Sequence, residues 1–179
     1  MSTIHKHRVS VAGAVFSLFL AAMPARAEVT QNDLQIAGRA LSFLKVPLTG
    51  ERRIGIVYVP GNAQSEREAA TLQRLLGTGL KIGNITLRPT MVPAADAARS
   101  SVDLFFLTPG MGADAPGLAA ASGTRRVPCV TTDLAQVRNG LCSMGVRSQP
   151  RIEILVNRAA AASSNTVFSS VFRMMITEI

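Results

Sequence analysis

The sequence is poor in the side chains that catalytic and nucleic-acid-binding sites most often use. Its 179 residues include no Trp, one Tyr, two Cys and two His, and aromatic residues make up only 4%. Both histidines, His5 and His7, precede the first apolar run. Because bases of single-stranded nucleic acid stack on aromatic rings, this scarcity predicts no nucleic-acid partner. Without a histidine after residue 7, the usual Ser-His-Asp and Cys-His constellations are also excluded.

Other catalytic and metal-binding signatures are missing as well. No Gly-x-Gly-x-x-Gly pattern follows the first predicted strand, so no dinucleotide cofactor is expected. The 11 Asp and Glu residues form no recognisable general acid/base motif, and two thiolates alone cannot complete a tetrahedral zinc site. We therefore predict a protein that is not an enzyme and holds no metal or cofactor. An enzyme would need several acids converging on one cleft with shifted pKa values.

The first 27 residues have the three regions of a cleavable signal peptide. A basic start contains Lys6 and Arg8, an apolar stretch covers residues 9–23, and Ala25-Arg26-Ala27 is a small-residue cleavage motif. Cleavage lowers the formal charge from +8 to +5 and leaves residues 28–179 as a single domain. The apolar stretch is short for a membrane span. We predict a periplasmic protein that is not embedded in the membrane after cleavage; the alternative is an uncleaved N-terminal anchor.

Export places the two cysteines, Cys129 and Cys142, in an oxidising compartment, where they are expected to form a disulfide. In the chain-entropy model, a loop of about a dozen residues closed in this way is worth about 3 kcal/mol. Two alternatives remain open: two free thiols, or a labile bridge that senses redox state.

Hydrophobic patterning predicts alternating strands and helices. Predicted strands cover residues 53–59, 84–92, 102–107, 127–132, 142–146 and 151–156, and predicted helices cover residues 33–45, 65–76, 94–99, 113–122, 134–138 and 158–175. This order requires crossover connections, and hence parallel strands with helices packed on both faces. The predicted fold class is α/β: a three-layer, Rossmann-like domain with a mostly parallel sheet of five to six strands.

Ligands of such sheets bind beyond the carboxyl ends of the strands. There the sequence places an amide- and hydroxyl-rich loop at the start of a helix, and threonines after two later strands. The candidate ligand-binding residues are Asn62, Gln64, Ser65, Thr108 and Thr132. Anionic groups are favoured at a helix N-terminus. The alternative is structural: Asn62 turns the chain, and Ser65 caps the helix in a box with Glu68.

The last predicted helix carries apolar side chains at helical spacing. Phe168 and Phe172 are candidate partner-binding residues on this helix. The alternative is that these phenylalanines, with Met174 and Met175, belong to the core.

Several short motifs give the chain a resemblance to the YfiR family of exported regulators. The matching stretches are residues 102–106 (VDLFF), 130–133 (VTTD), Gly140, Met144-Gly145, 151–154 (RIEI) and 167–173 (VFSSVFR). The resemblance implies a single-domain periplasmic protein with disulfides. It also implies that the protein binds and restrains the periplasmic sensor domain of a membrane diguanylate cyclase, acting as a brake on cyclic-di-GMP signalling.

A second resemblance is to one lobe of ABC-transporter substrate-binding proteins. It rests on residues 54–65 (IGIVYVPGNAQS) and 127–133 (VPCVTTD), followed by Gly140 and Gly145. It implies a small-solute binder, although the mature chain has about half the length that two lobes need, so that a single lobe would bind weakly or dimerise. We predict first a regulator of a membrane-bound signalling protein, and second a single-lobe solute-binding protein, with a homodimer as a further partner. A regulator should expose an apolar patch and a solute binder a polar pocket.

Overall fold

One eight-stranded sheet organises the computed structural model, which describes residues 28–179; the predicted signal peptide, residues 1–27, lies outside the described residues. Its strands are β1 (Gly50–Tyr58), β2 (Leu80–Ile82), β3 (Ile85–Pro93), β4 (Leu104–Leu107), β5 (Cys129–Thr131), β6 (Met144–Arg147), β7 (Glu153–Val156) and β8 (Thr177–Glu178). They lie in the order β2-β3-β1-β4-β5-β6-β7-β8. Strands β3, β1, β4, β5 and β6 are mutually parallel, whereas β2 and β7 pair antiparallel with their inner neighbours.

The helices connect the parallel strands as the sequence pattern predicts. They are α1 (Gln31–Leu41), α2 (Ala63–Leu76), α3 (Ala115–Arg125), α4 (Leu134–Arg138), α5 (Arg158–Ser163) and α6 (Ser170–Arg173), with short 3-10 turns at Ala94–Arg99 and Gly112–Asp114. Helix α2 connects β1 to β2, which leads into β3; α3 connects β4 to β5, and α4 connects β5 to β6.

Two hydrophobic clusters fill the two faces of the sheet, which confirms the predicted three-layer α/β class. The alternation of side chains along β4 shows the division: Phe106 belongs to the cluster under α1 and α2, and Phe105 to the cluster under α3 and α4. Both phenylalanines are fully buried. Because β4 is buried on both faces, its sequence is continuously apolar, as expected for a central parallel strand.

The sheet has more strands than the five to six predicted, and the predicted helix over 158–175 is wrong. Strands β2 and β8 have only three and two residues, too few for a recognisable alternation. The last helix is divided because Asn165 adopts a left-handed φ of 56°. The Ser164 hydroxyl donates to the Ala160 carbonyl at 2.8 Å, and such local bonds compete with continued helix.

The predicted Cys129–Cys142 disulfide is present and joins the start of β5 to the loop before β6, with the Cα atoms 5.0 Å apart. Both cysteines are buried. Within residues 28–179, none of the helices has the length and apolar character needed to cross a membrane.

Candidate functional site

A cleft of about 290 Å³ lies at the carboxyl ends of the parallel strands. We call it the strand-end cleft. Its wall is built from the start of α1, the first turns of α2, and the segments that follow β4, β5 and β6: Glu28, Thr30, Asp33, Gln64, Glu68, Pro109, Thr132, Asp133, Arg147, Ser148, Gln149 and Pro150. This is the sheet edge at which open α/β folds bind ligands, and the edge at which the sequence analysis placed its candidate residues.

Two of the five predicted ligand-binding residues, Gln64 and Thr132, line the strand-end cleft. Both side chains are partly exposed. The Thr132 hydroxyl donates to the Glu68 carboxylate at 3.1 Å, linking the segment after β5 to helix α2. Gln64 and Thr132 therefore present polar groups to any molecule that occupies the cleft.

The other three predicted residues hold the fold together. Asn62 is the N-cap of α2: its side-chain oxygen accepts from the backbone N–H groups of Gln64 and Ser65, each at 3.1 Å. Ser65 and Thr108 are fully buried, and their hydroxyls lie 2.6 Å apart. The Ser65 oxygen also accepts from the Val59 N–H at 2.9 Å. These contacts fix the loop after β1 against the end of β4.

Asn62, rather than Ser65, is thus the residue that caps α2, so the predicted capping box of Ser65 and Glu68 is wrong. Helix α1 begins before the predicted residue 33, because Thr30 is its N-cap and Asp33 occupies the third helical position in a capping box. Glu68 is consequently free of any capping role and lies in the strand-end cleft instead.

Asp33 connects the start of α1 to the loop between β6 and β7. The carboxylate accepts hydrogen bonds from the Thr30 N–H at 2.8 Å, from the Thr30 hydroxyl at 2.7 Å, and from the Ser148 N–H at 2.7 Å. Asp33 is 5% exposed. Since its oxygens are well supplied with donors, Asp33 shapes the wall of the cleft and contributes negative charge.

Glu68 has the most altered acidity in the strand-end cleft. Burial raises the pKa of its carboxyl from 4.5 to about 7; the hydrogen bond from Thr132 acts in the opposite direction, and the neighbouring carboxylates of Asp133, Asp33 and Glu28 raise the pKa further. None of the groups that shift this pKa is a cation. Glu68 is thus a partly buried carboxyl without a counter-ion among the residues that the structure describes, and it changes charge near neutral pH.

Arg147, at the end of β6, supplies positive charge to the same cleft. Its guanidinium makes no hydrogen bond or ion pair with the side chains or backbone of residues 28–179 and is partly exposed. The cleft therefore combines a guanidinium, an amide, a hydroxyl and several carboxyls. Such a mixture can orient a small polar molecule by hydrogen bonds and charge.

Sequence reasoning missed Asp33, Glu68 and Arg147 as cleft residues. Glu68 follows Gln64 by one helical turn on α2, so helical spacing from a predicted ligand residue could have indicated it. Arg147 and Asp33 carry no such signal, because the pairing of β5 with β6 and the packing of α1 bring them to the cleft.

The predicted partner-binding residues Phe168 and Phe172 are 3% and 4% exposed and belong to the core. This corrects their assignment to a free surface. Phe172 stacks on Phe43, which follows α1, with ring centroids 4.8 Å apart. Several residues close in sequence to Phe43 or Phe172 have exposed apolar side chains; together with Phe43 itself, we call them the apolar patch: Phe43, Val46, Val171, Met174 and Met175.

Comparisons with known proteins bear on the fold. No protein-family model matches the chain, and no curated protein matches it. Two solved structures share its fold. One is the ABC domain in complex with L-Trp from Streptococcus pneumoniae, with a TM-score of 0.57 and 12% identity over 82% of this chain. The other is a conserved domain protein from Vibrio cholerae, with a TM-score of 0.55 and 13% identity over 81% of this chain.

The chain spans only 61% and 59% of the lengths of those two structures. At 12% and 13% identity, the likeness shows the fold and no more. That fold belongs to the α/β class that the sequence predicts. The resemblance to the YfiR family stays a prediction that these matches do not address.

Proposed function

We propose that this protein is an exported, non-enzymatic, single-lobe binder of a small polar solute, and that the solute occupies the strand-end cleft. The observation that carries the proposal is the cleft itself, which lies at the ligand edge of an α/β sheet and is lined by Gln64, Glu68, Thr132 and Arg147. Its volume of about 290 Å³ is at the lower end of the range for ligand pockets, so it suits a small molecule.

The structural neighbours support the same proposal. The Streptococcus pneumoniae ABC domain is described in complex with L-Trp, so the shared fold is compatible with binding an amino-acid-sized solute. This chain spans 61% of that domain. A cleft walled by one lobe leaves its ligand more exposed to solvent, and we therefore expect weak binding, with dissociation constants of about 10 μM to 1 mM.

The test is calorimetric titration of the purified protein with a panel of small polar metabolites, compared with the Gln64→Ala variant. Gln64→Ala removes an amide from the cleft and should weaken binding about fivefold, since a hydrogen bond is worth about 1 kcal/mol. Gln73→Ala is the matched control, because Gln73 is exposed on the same helix outside the cleft. Equal losses in the two variants, or no binding by any member of the panel, would contradict the proposal.

A second candidate is the regulator that restrains the periplasmic sensor domain of a membrane signalling protein such as a diguanylate cyclase. The apolar patch supports it, because seven of the eight large hydrophobic side chains that are exposed within residues 28–179 lie at Phe43, Val46 or between Val167 and Ile179. Exposed apolar side chains concentrated in one region are typical of a protein-binding surface.

Cross-linking in the native cell envelope tests this second candidate. The wild type should capture a membrane protein with a periplasmic sensor domain, and Val171→Ser combined with Met174→Ser should abolish capture. Ile152→Ser is the control, since Ile152 is 65% exposed outside the apolar patch. Repeating the capture with reductant tests whether the Cys129–Cys142 disulfide regulates it, and light scattering tests for a homodimer.

A further inference from the structure

Negative charge is concentrated in the strand-end cleft of an otherwise basic protein. Four of the 11 acidic residues line the cleft, namely Glu28, Asp33, Glu68 and Asp133, against one of the 16 lysines and arginines within residues 28–179. In a concave site, like charges reinforce one another and raise the local concentration of ions of the opposite sign. The cleft therefore attracts cations although the chain as a whole repels them.

Among the acidic residues of the cleft, Glu68 is the one whose charged form a nearby cation would stabilise most. Its Oε1 atom accepts from the Thr132 hydroxyl, while no donor of residues 28–179 serves its Oε2 atom. The groups that face it are Asp133 after β5, Asp33 and Glu28 at the start of α1, and, elsewhere on the cleft wall, Arg147 of β6. A carboxylate that is partly removed from water and lacks a positive partner is less stable in its charged form, and protonation or a bound cation relieves that cost.

The spacing of the acids favours an organic cation over a metal ion. Among the residues that the structure describes, no three Asp, Glu, His or Cys side chains lie close enough together to share a metal. The acids are distributed around the cleft wall instead, and an ammonium group needs only one carboxylate and a neutral hydrogen-bond acceptor such as a hydroxyl. The amide of Gln64 and the hydroxyl of Thr132 are available beside Glu68.

We propose that the strand-end cleft selects small solutes that carry a protonated amine, and that Glu68 is the residue that determines this specificity. The inference rests on the proposed solute-binding function and names its ligand class. On binding, the ammonium of the solute occupies the place of the missing counter-ion beside the Glu68 carboxylate. Where Glu68 was protonated before binding, its proton is released to solvent.

Four probes with the same four-carbon chain test the inference by calorimetry: 1,4-diaminobutane, 4-aminobutanoate, 1,4-butanediol and succinate. The two amines should bind at least tenfold more tightly than the diol and succinate. Because the free carboxyl of Glu68 has a pKa of about 7, amine affinity should rise about tenfold from pH 6 to pH 8 and then level off. Titrations at pH 7 in buffers of different ionisation enthalpy should show release of about half a proton.

Glu68→Gln should weaken amine binding at pH 8 at least tenfold and remove both the pH dependence and the proton release. Glu66→Gln is the control, since Glu66 is an exposed glutamate on the same helix, outside the cleft. This control should leave the amine affinity at pH 8, its pH dependence and the proton release unchanged. A fold that is merely loosened by Glu68→Gln would lose affinity without losing the pH dependence, so the proton release distinguishes specificity from structural damage.

The outcomes separate this inference from the proposed function. If succinate or the diol binds as tightly as the amines and Gln64→Ala weakens that binding, the cleft is a solute site and the amine specificity is wrong. If the amines bind without proton release at pH 7, the assignment of Glu68 is wrong. If none of the four probes binds and the wider metabolite panel also fails, the proposed function itself is wrong.

Discussion

Replacing Glu68 with glutamine should stabilise the ligand-free protein, and the gain should grow with pH. The carboxyl has a pKa of about 7 in the folded protein, mainly because of burial, and 4.5 when it is free of the fold. Between those two values the unfolded chain has already lost the proton that the folded chain retains. The folded state binds more protons in this range, so the contribution of Glu68 to stability falls as pH rises from about 4.5 to 7.

The size of the effect follows from the same two values. Each pKa unit corresponds to about 1.4 kcal/mol, so the full cost of ionising Glu68 within the fold is at most about 3 kcal/mol. Partial access of water to the cleft lowers that figure, and we expect about 2 kcal/mol at pH 8 and less than about 1 kcal/mol at pH 5. Glutamine retains an oxygen that can accept the Thr132 hydrogen bond.

Urea unfolding followed by far-ultraviolet circular dichroism is the suitable assay, because the chain has no Trp and one Tyr. Glu68→Gln should unfold at a higher urea concentration than the wild type at pH 8, with the difference largely gone at pH 5. For Glu66→Gln, the difference in urea midpoint from the wild type should be the same at pH 8 and at pH 5. A stability gain of equal size at both pH values, or a loss at pH 8, would refute the assigned cause.

Three further predictions concern the scaffold of the cleft and can be measured in the same unfolding assay. Asp33→Ala removes the acceptor of three hydrogen bonds at a buried position and should destabilise the protein by about 3 kcal/mol; Asp33→Asn should recover part of that loss. Reducing the Cys129–Cys142 disulfide, which closes a loop with a sequence separation of 13, should cost about 3 kcal/mol, and an unchanged midpoint would contradict this. Gly145→Ala should cost about 2 kcal/mol, because the new Cβ would lie 2.7 Å from a methyl carbon of Leu134.

The parts of the fold that could be predicted from sequence are those with a strong local signal. Strand β4 and the second half of β1, residues 54–57, are apolar runs because both of their faces are buried, and α2 has a clear amphipathic stripe. The short edge strands β2 and β8 form because neighbouring strands offer free hydrogen-bonding edges to them. Their sequences alone carry no such information, which is why the predicted sheet was too small.

The candidate site also contains residues whose role could be predicted from sequence and residues whose role could not. Gln64 and Thr132 could be predicted because the carboxyl ends of parallel strands meet at one edge, a property of topology that the element order already implies. Asn62, Ser65 and Thr108 share the same residue types and the same edge, yet they are held by internal hydrogen bonds. Sequence cannot separate these two groups, because the difference depends on distances of a few ångströms between segments that are far apart in the chain.

Helix α1 relates the two candidate functions in space. Asp33 in its first turn lines the strand-end cleft, while Phe43, just after its last residue, belongs to the apolar patch. Between Asp33 and the last helical residue, Leu41, the helix rises roughly 12 Å along its axis. The strand-end cleft and the apolar patch share no residue. The Glu68 and Val171 variants can consequently test one function without removing residues that serve the other.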